Sequence, residues 1–267
     1  MSSPSTPSVL STSLAHLLER TVFQLKHADE QGEVYRPRGV AAVSLMLNRA
    51  LIERGVRAPW MWSAERCQQF WATREPGEDS NAPNGYAAKR TEIVDFLHDF
   101  WSPEVGLSAT VLEIGCNAGA NLARLKQLGY EQLSGVEINP AAISEMRRAF
   151  PELAATAGIH IGRMEEVLPA LDTDGFDVLF AMAVLHHVHP SSRWVFSEMV
   201  RISRGYICVL EPEQTVSHYV FCRNYGRLFE GLGCRQIRTV QIAHSSFPDI
   251  ADDYQGYTAR LFRVPGR

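Results

Sequence analysis

The sequence predicts an α/β fold: a doubly wound, mostly parallel sheet of seven strands with a terminal antiparallel hairpin and an N-terminal helical cap. Between residues 87 and 231, short apolar runs alternate with helical segments, which is typical of parallel strands joined by right-handed crossovers. The helical segments include a predicted helix over 87–100 and an amphipathic run over 216–229. Near the end, the extended runs 235–242 and 258–264 follow each other without a helix between them. This break in the alternation predicts the hairpin.

Composition limits the classes of function. The chain has 267 residues, enough for one α/β domain and an appendage, and a net charge of −4 without a Lys/Arg-rich run. Nothing therefore indicates a nucleic-acid or membrane partner. The five cysteines form no C-x-x-C pair, which is typical of reduced thiols in a cytosolic enzyme. No apolar segment approaches the roughly 18 residues that span a bilayer, so we expect a cytoplasmic protein.

The N-terminal third lies outside the predicted sheet. Residues 1–12 are rich in Ser, Thr and Pro and are expected to be a disordered tail, and residues 13–86 a helical cap and lid. Apolar residues recur at helical spacing over residues 14–25 and 40–52, which predicts two helices. We expect these helices to form a cap or a dimerisation element, so a homodimer through them stays open.

Aromatic residues are concentrated in the segment 58–86, which is also rich in Pro, Gly and Asn and is therefore expected to be rich in loops. These aromatics are Trp60, Trp62, Phe70 and Trp71. Either they form a lid over a binding site, or they attach the helical cap to the core.

A glycine-containing turn begins the sheet domain. Residues 110–121 are predicted to form a buried strand that ends at Gly115, turns through Gly119 and continues into a helix. Such a turn directs backbone N–H groups and the positive end of the helix dipole at a ligand. A dinucleotide fingerprint has glycines at relative positions one, three and six. Here they stand at one and five, with Asn117 between them and Glu113 before them.

A second acidic residue supports a nucleotide site. The apolar run 133–139 carries Glu137 and Ile138 near its end. In nucleotide-binding α/β folds, a carboxylate that ends the second strand accepts the ribose hydroxyls, about 20 residues after the glycines. Asn139 and Pro140 then begin the next helix, where a proline N–H is not needed.

The pattern Glu-x-Gly-x-x-x-Gly over residues 113–119, with Glu137 in register, resembles motif I of the class I S-adenosylmethionine-dependent methyltransferases. The resemblance covers roughly residues 87–264. It implies the methyltransferase variant of the Rossmann fold, S-adenosyl-L-methionine as cofactor, and a cofactor-binding domain over residues 87–267. The alternatives are an ordinary tight turn, a non-catalytic cofactor-binding regulatory subunit, and an NAD-dependent enzyme, which the glycine spacing disfavours.

The resemblance also implies cofactor contacts after the third strand, where the family tends to have an Asp that bonds adenine. Arg163 stands there in this chain. Met164 can still cover the adenine ring, because a thioether favours aromatic contact. Either Glu165 or a backbone carbonyl then supplies the missing acceptor.

Further cofactor contacts are expected from both ends of the site. Tyr86 and Arg90 precede the core and can meet the methionine carboxylate, for which an Arg fork is suited; a solvent-facing Arg90 is the alternative. The implied contacts are completed by Glu113, Gly115, Asn117, Gly119, Glu137, Ile138, Ala181 and Met182.

Three histidines follow the fourth strand, in residues 181–190. His is the side chain that titrates near neutral pH. The run resembles a segment of small-molecule methyltransferases in which some members use a His as a base, and His187 matches that His. Alternatively, His187 caps a helix or packs under the cofactor. Adjacent histidines rarely reach one metal ion, so no metal is expected.

Glu211, at the end of the fifth strand, is the second catalytic candidate. It either orients a hydroxyl or amine of the substrate or caps the next helix. The sequence therefore predicts methyl transfer to a small molecule, as in the biosynthesis of a secondary metabolite or modified sugar. Transfer to oxygen is slightly preferred over transfer to nitrogen, because a hydroxyl must lose its proton to a base.

Overall fold

The computed structural model describes residues 38–75, 77, 82–88, 91–247, 250 and 254–266. The predicted tail, the predicted helix over residues 14–25, and Arg90 lie outside the described residues.

Helices and strands alternate through most of the described chain. The helices are α1 (Gly39–Glu53), α2 (Ala64–Ala72), α3 (Pro83–Ala87), α4 (Glu92–Trp101), α5 (Ala120–Gln127), α6 (Pro140–Ala149), α7 (Pro151–Thr156), α8 (Met164–Val167), α9 (Val195–Ile202) and α10 (Tyr225–Gly231). The strands are β1 (Thr110–Ile114), β2 (Gln132–Glu137), β3 (Gly158–Ile161), β4 (Phe176–Met182), β5 (Ser203–Pro212), β6 (Arg235–Gln241) and β7 (Tyr257–Arg263). Among these helices, none combines the length and the apolar character that a bilayer crossing requires.

The seven strands form one sheet in the order β3-β2-β1-β4-β5-β7-β6. Strands β1 to β5 are parallel, whereas β7 is antiparallel to both β5 and β6. The predicted doubly wound sheet and terminal hairpin are therefore confirmed. Ile114 pairs with Val136 on one side and with Ala181 on the other, so the carboxyl ends of β1, β2 and β4 meet at one edge. The strand order reverses between β1 and β4, which is where ligands bind in open α/β sheets.

Both faces of the sheet are buried. Neighbouring residues of a strand point to opposite faces, so Val111 packs into one apolar cluster and Leu112 into the other. Trp101 of α4 belongs to the first cluster and Phe196 of α9 to the second. Helices on both faces explain why the parallel strands are continuous apolar runs in the sequence.

The cap packs on the loop that follows β5. A third apolar cluster joins Ile52 and Met61 of the cap to Val216 and Phe221 of this loop. The backbone N–H of Trp62 donates to the carbonyl of His218 over 2.8 Å. The helical part of the cap therefore lies over the carboxyl edge of the sheet.

Three local predictions differ from the structure. The segment 58–86 was expected to be rich in loops but contains α2, whose first turn is capped by the Ser63 side chain. The predicted helix 87–100 begins only at Glu92. The amphipathic run 216–229 is helical only from Tyr225, because its earlier apolar residues bury themselves against the cap and not along a helix face.

Candidate functional site

A cavity of about 300 Å³ lies at the carboxyl edge, between the sheet and the cap. Its floor comes from the loops after β1, β2 and β4, and its roof from α2. The final strand and the loop before it contribute Tyr254 and Tyr257. Among the predicted site residues, those that line it are Tyr86, Gly115, Asn117, Glu137, Ile138, Met164, Glu165, Met182 and His187.

The turn after β1 depends on its two glycines. Gly115 has a φ of +73° and Gly119 a φ of +77°, in the left-handed region that glycine adopts at little cost. A Cβ at Gly115 would lie 2.5 Å from a methyl carbon of Val184, and one at Gly119 would lie 2.6 Å from the Met146 methyl. Asn117 has a φ of +46°, which Asn tolerates better than other non-Gly residues. Glycine is therefore required at positions 115 and 119, both for the backbone conformation and for the close packing of neighbouring side chains.

Glu137 ties this turn to the end of β2. Its carboxylate accepts the backbone N–H of Asn117 and of Asn139, each over 2.8 Å. Burial raises the pKa of Glu137, and these two hydrogen bonds oppose that shift. Each carboxylate oxygen has a second lone pair, so the side chain can accept further hydrogen bonds from a ligand in the cavity.

Glu113 lies beneath the cavity wall. It is 1% exposed and accepts a hydrogen bond from the Asn121 side chain over 2.5 Å. Burial raises the pKa of Glu113 to about 8. The same Asn121 amide donates to the Tyr86 hydroxyl over 2.7 Å, so Glu113 supports Tyr86 through Asn121.

Two further residues predicted to contact the cofactor, Ala181 and Gly119, also lie behind the residues that line the cavity. Ala181 is buried within β4, between Ile114 of β1 and Val209 of β5. Gly119 begins α5, behind the residues that line the cavity. Glu113, Gly119 and Ala181 therefore lie outside the cavity lining, and their contact with the cofactor stays a prediction.

The region after β3 closes the opposite end of the cavity. Gly162, Met164 and Glu165 line it, and the Glu165 carboxylate accepts a hydrogen bond from Gln68 of α2 over 3.1 Å. Arg163 is partly exposed, and its guanidinium lies 3.8 Å from Glu166. Arg163 therefore lies outside the cavity lining, whereas Met164 and Glu165 belong to it, and their contacts with adenine stay predictions.

His187 faces the cavity from a single helical turn, Leu185–His187, that follows β4. Its Nδ1 lies 2.9 Å from the carbonyl oxygen of Tyr219. A carbonyl only accepts, so Nδ1 carries the proton and Nε2 keeps its lone pair. Burial and the neighbouring His186 hold the pKa of His187 well below its usual value, so the ring is neutral near pH 7.

Glu211 lies at the end of β5, beside the turn after β4. It is 0% exposed and does not line the cavity. Its carboxylate accepts the backbone N–H groups of Val184 and Leu185 over 2.8 and 2.7 Å and lies 2.6 Å from Nδ1 of His186. Burial raises the pKa of Glu211 to about 7. The structure thus places Glu211 beneath the turn after β4 and outside the cavity lining, and its contact with a substrate stays a prediction.

The aromatic residues of the cap divide between the two expected roles. Trp71 lines the cavity, and its ring centre lies 4.4 Å from that of His187. Trp62 and Phe70 instead pack against Tyr219, with ring centres 5.0 and 5.3 Å away. Trp71 thus lies at the cavity, where its role as a lid stays a prediction, while the other two attach the cap to the loop after β5.

Several lining residues were not found from the sequence. They are Cys67, Gln68 and Arg74 of the cap, and Tyr254 and Tyr257 near the C-terminus. Burial raises the pKa of the Cys67 thiol to about 11, so this thiol is unreactive at neutral pH. In the part of the chain that the structure describes, no group of three or more His, Cys, Asp or Glu side chains has a geometry suited to a metal ion.

Comparison with known proteins is consistent with this geometry. Residues 111–205 match a family described as a methyltransferase domain. A search among curated proteins finds no match.

Several solved structures share the fold. A geranyl diphosphate C-methyltransferase from Streptomyces coelicolor A3(2), in complex with Mg²⁺, geranyl diphosphate and S-adenosyl-L-homocysteine, aligns with a TM-score of 0.56 and 12% identity, over 78% of this chain and 98% of that one. The [4+2]-cyclase SpnF aligns with a TM-score of 0.53 and 13% identity, over 66% and 81% of the two chains. A methyltransferase from Methanosarcina mazei gives 0.51 and 14%, over 64% and 98%. At these identities the structures establish the shared fold.

Proposed function

We propose that this chain is a class I methyltransferase that transfers a methyl group from S-adenosylmethionine to a small-molecule acceptor, a proposal supported by the match of residues 111–205 to a methyltransferase domain. One observation carries the proposal. The glycine turn, the Glu137 carboxylate and the neutral His187 ring all line one cavity at the strand-order reversal of the sheet.

The residues at the cavity fit the cofactor. The glycine turn allows a ligand close to the backbone, and Glu137 offers two oxygens with free lone pairs to ribose hydroxyls. Met164 offers a thioether to the adenine ring, and we assign Tyr86, which also lines the cavity, to the methionine moiety. When bound, the cofactor supplies a methyl group on a sulfonium, which is already an activated leaving group.

The chain then has to align the acceptor and remove its proton. Trp71, Val184 and Val188 give the cavity apolar walls beside His187, which suits a drug-sized molecule better than a polymer. Alignment of donor and acceptor supplies most of the rate in such a reaction. Nε2 of His187 is available to accept a proton from a hydroxyl, so transfer to oxygen is preferred over transfer to nitrogen.

The proposal is tested in two steps. Calorimetry with S-adenosylmethionine and with its demethylated product should show binding; absence of binding at millimolar concentration would remove the proposal. Extracts are then screened for acceptors with labelled cofactor. A chain that binds cofactor, transfers nothing and stimulates a co-purifying methyltransferase would indicate a regulatory subunit instead.

The role of His187 is tested with the acceptor found. His187→Ala should lower turnover by about 10²–10⁴-fold and leave cofactor affinity nearly unchanged. His160→Ala, in β3, serves as control because that side chain does not line the cavity. A loss of less than tenfold in His187→Ala would make His187 a wall of the cavity and leave alignment as the whole mechanism.

The homodimer expected through the N-terminal helices stays a prediction. One feature supports it: Val40, Val43 and Leu47 lie along one face of α1 and are 73%, 52% and 57% exposed. Residues three and four apart share a helix face, so these side chains form one apolar stripe.

A further inference from the structure

The turn that carries His187, residues 184–188, is bound through its backbone by two buried charged side chains. They are Glu211, at the end of β5, and Arg223, in the loop before α10, and both are 0% exposed. Neither lines the cavity. Their contacts with the turn therefore have to be explained by something other than substrate contact.

Glu211 binds the N–H groups at the beginning of the turn. It accepts from Val184 and Leu185 over 2.8 and 2.7 Å, and its second oxygen lies 3.3 Å from the backbone nitrogen of His186 and 2.6 Å from the His186 ring. The carboxylate thus contacts three successive residues immediately before His187.

Arg223 binds the carbonyl groups at the other end of the turn. One guanidinium nitrogen donates to the carbonyl of Val188 over 2.7 Å, and the other to Phe221 over 2.8 Å and to Leu185 over 3.5 Å. The guanidinium carbon lies 5.1 Å from the centre of the Phe196 ring. Its rigid fork joins the turn to the loop after β5, which a flexible ammonium would do less well.

The turn needs external support because it begins with an unfavourable backbone conformation. Ala183 has a φ of +57°, which costs a non-glycine residue roughly 1–2 kcal/mol. Strained residues persist only where the surrounding structure over-determines them, and they cluster at functional sites. Burial of two charges is itself costly, and an apolar pair is often at least as stabilising, so stability alone does not explain this arrangement.

We propose that Glu211 and Arg223 are positioning residues, which together fix the turn 184–188 so that His187 presents Nε2 to the acceptor. The carboxylate fixes the N–H end and the guanidinium the carbonyl end, and His187 lies between them. The Tyr219 carbonyl, in the loop that Arg223 also binds, completes the orientation of the imidazole. This inference rests on the proposed function for its effect on rate.

The test compares Glu211→Gln and Arg223→Lys with Glu213→Gln. Glu213 is a matched control, because it is also a buried glutamate at the end of β5 and is bonded to Arg260 over 2.8 and 3.0 Å, away from the turn. Both positioning variants should lower kcat by about 10- to 100-fold with cofactor affinity unchanged, since a displacement of about 1 Å can cost 10²-fold. The control should lose thermal stability without a comparable loss of kcat. Unchanged kcat in folded positioning variants, or an equal loss in the control, would overturn the proposal.

A second readout does not depend on turnover. In ¹⁵N-edited NMR of the imidazoles, the wild type should show His187 as a single tautomer protonated at Nδ1, and Glu211→Gln should show a mixture. A single tautomer in both proteins would overturn the proposal, even if His187 proved not to be a base. If the variants do not fold, amide exchange in the wild type decides: Val184 and Leu185 should be among the slowest amides, and rapid exchange there would refute the role of Glu211.

Discussion

Replacing Glu137 by Ala is expected to weaken cofactor binding about 10- to 100-fold. The carboxylate lines the cavity and accepts hydrogen bonds from the N–H groups of Asn117 and Asn139. The remaining lone pairs face the cavity, where the proposed function assigns them to two ribose hydroxyls. Removal of the side chain therefore has one effect on the ligand and another on the protein.

The magnitude of the ligand effect follows from the charge. A hydrogen bond to a charged group contributes about 1.5–3 kcal/mol, and each 1.4 kcal/mol corresponds to a factor of ten in affinity. The loss of this acceptor therefore accounts for one to two orders of magnitude. In the ligand-free protein, the two backbone N–H groups lose their acceptor, but the cost of burying a carboxylate is also removed. The fall in Tm of the ligand-free protein should therefore be smaller than the loss of binding free energy suggests.

Calorimetry with S-adenosylmethionine and its demethylated product measures the effect, with Tm of the ligand-free protein recorded for each variant. Glu166→Ala is the matched control, because Glu166 is a glutamate near the same edge that does not line the cavity. Unchanged affinity in a folded Glu137→Ala variant would refute the assignment of β2 to the ribose.

Two other predictions follow from the same edge of the sheet. Gly115→Ala should weaken cofactor binding, because the new Cβ would lie 2.5 Å from a methyl carbon of Val184 at a φ of +73°. The double variant Gly115→Ala/Val184→Ala should recover part of the affinity measured by calorimetry. If it recovers none, the steric explanation is wrong. The pH dependence of kcat should show a decrease as pH falls through about 7, where Glu211 takes up a proton, and Glu211→Gln should lack this step. Stability should change in the opposite direction. Because the pKa of Glu211 is raised, the folded chain binds the extra proton between about pH 4.5 and 7, so the contribution of Glu211 to the free energy of unfolding rises as pH falls. Denaturant titrations that show the opposite trend relative to Glu211→Gln would contradict this.

The sequence was informative where function depends on local backbone geometry. Gly115 and Gly119 mark a turn whose positive φ angles only a few residue types adopt, and Glu137 ends a strand at a fixed distance from it. Both signals lie within 25 residues of chain and are independent of how the rest folds. The central strands were equally clear, because both of their faces are buried and β4 and β5 carry apolar runs.

The sequence was less informative about the direction of a side chain at the end of a strand, where either the cavity or the buried interior can accept it. The last residues of β5 alternate between faces, and only the tertiary structure shows that Glu211 points under the turn after β4 and not into the cavity. Helix α2 was missed because it has only one fully buried residue, Cys67, and therefore shows little apolar periodicity. Tyr254 and Tyr257 reach the cavity because β7 returns antiparallel beside β5, a long-range pairing that local patterns do not encode.

The contact between the cap and the loop after β5 connects the enclosure of the cavity with the orientation of His187. Trp62 of the cap bonds the backbone of His218, and the next residue, Tyr219, provides the carbonyl that sets the tautomer of His187. Under the proposed function, the cap that helps to enclose the acceptor is thus connected through this loop to the residue that takes its proton. Under the proposed function, trimming Trp71, whose ring centre lies 4.4 Å from that of His187, would enlarge the cavity and also loosen the imidazole. A broader range of acceptors and fast turnover would therefore compete during engineering of this chain.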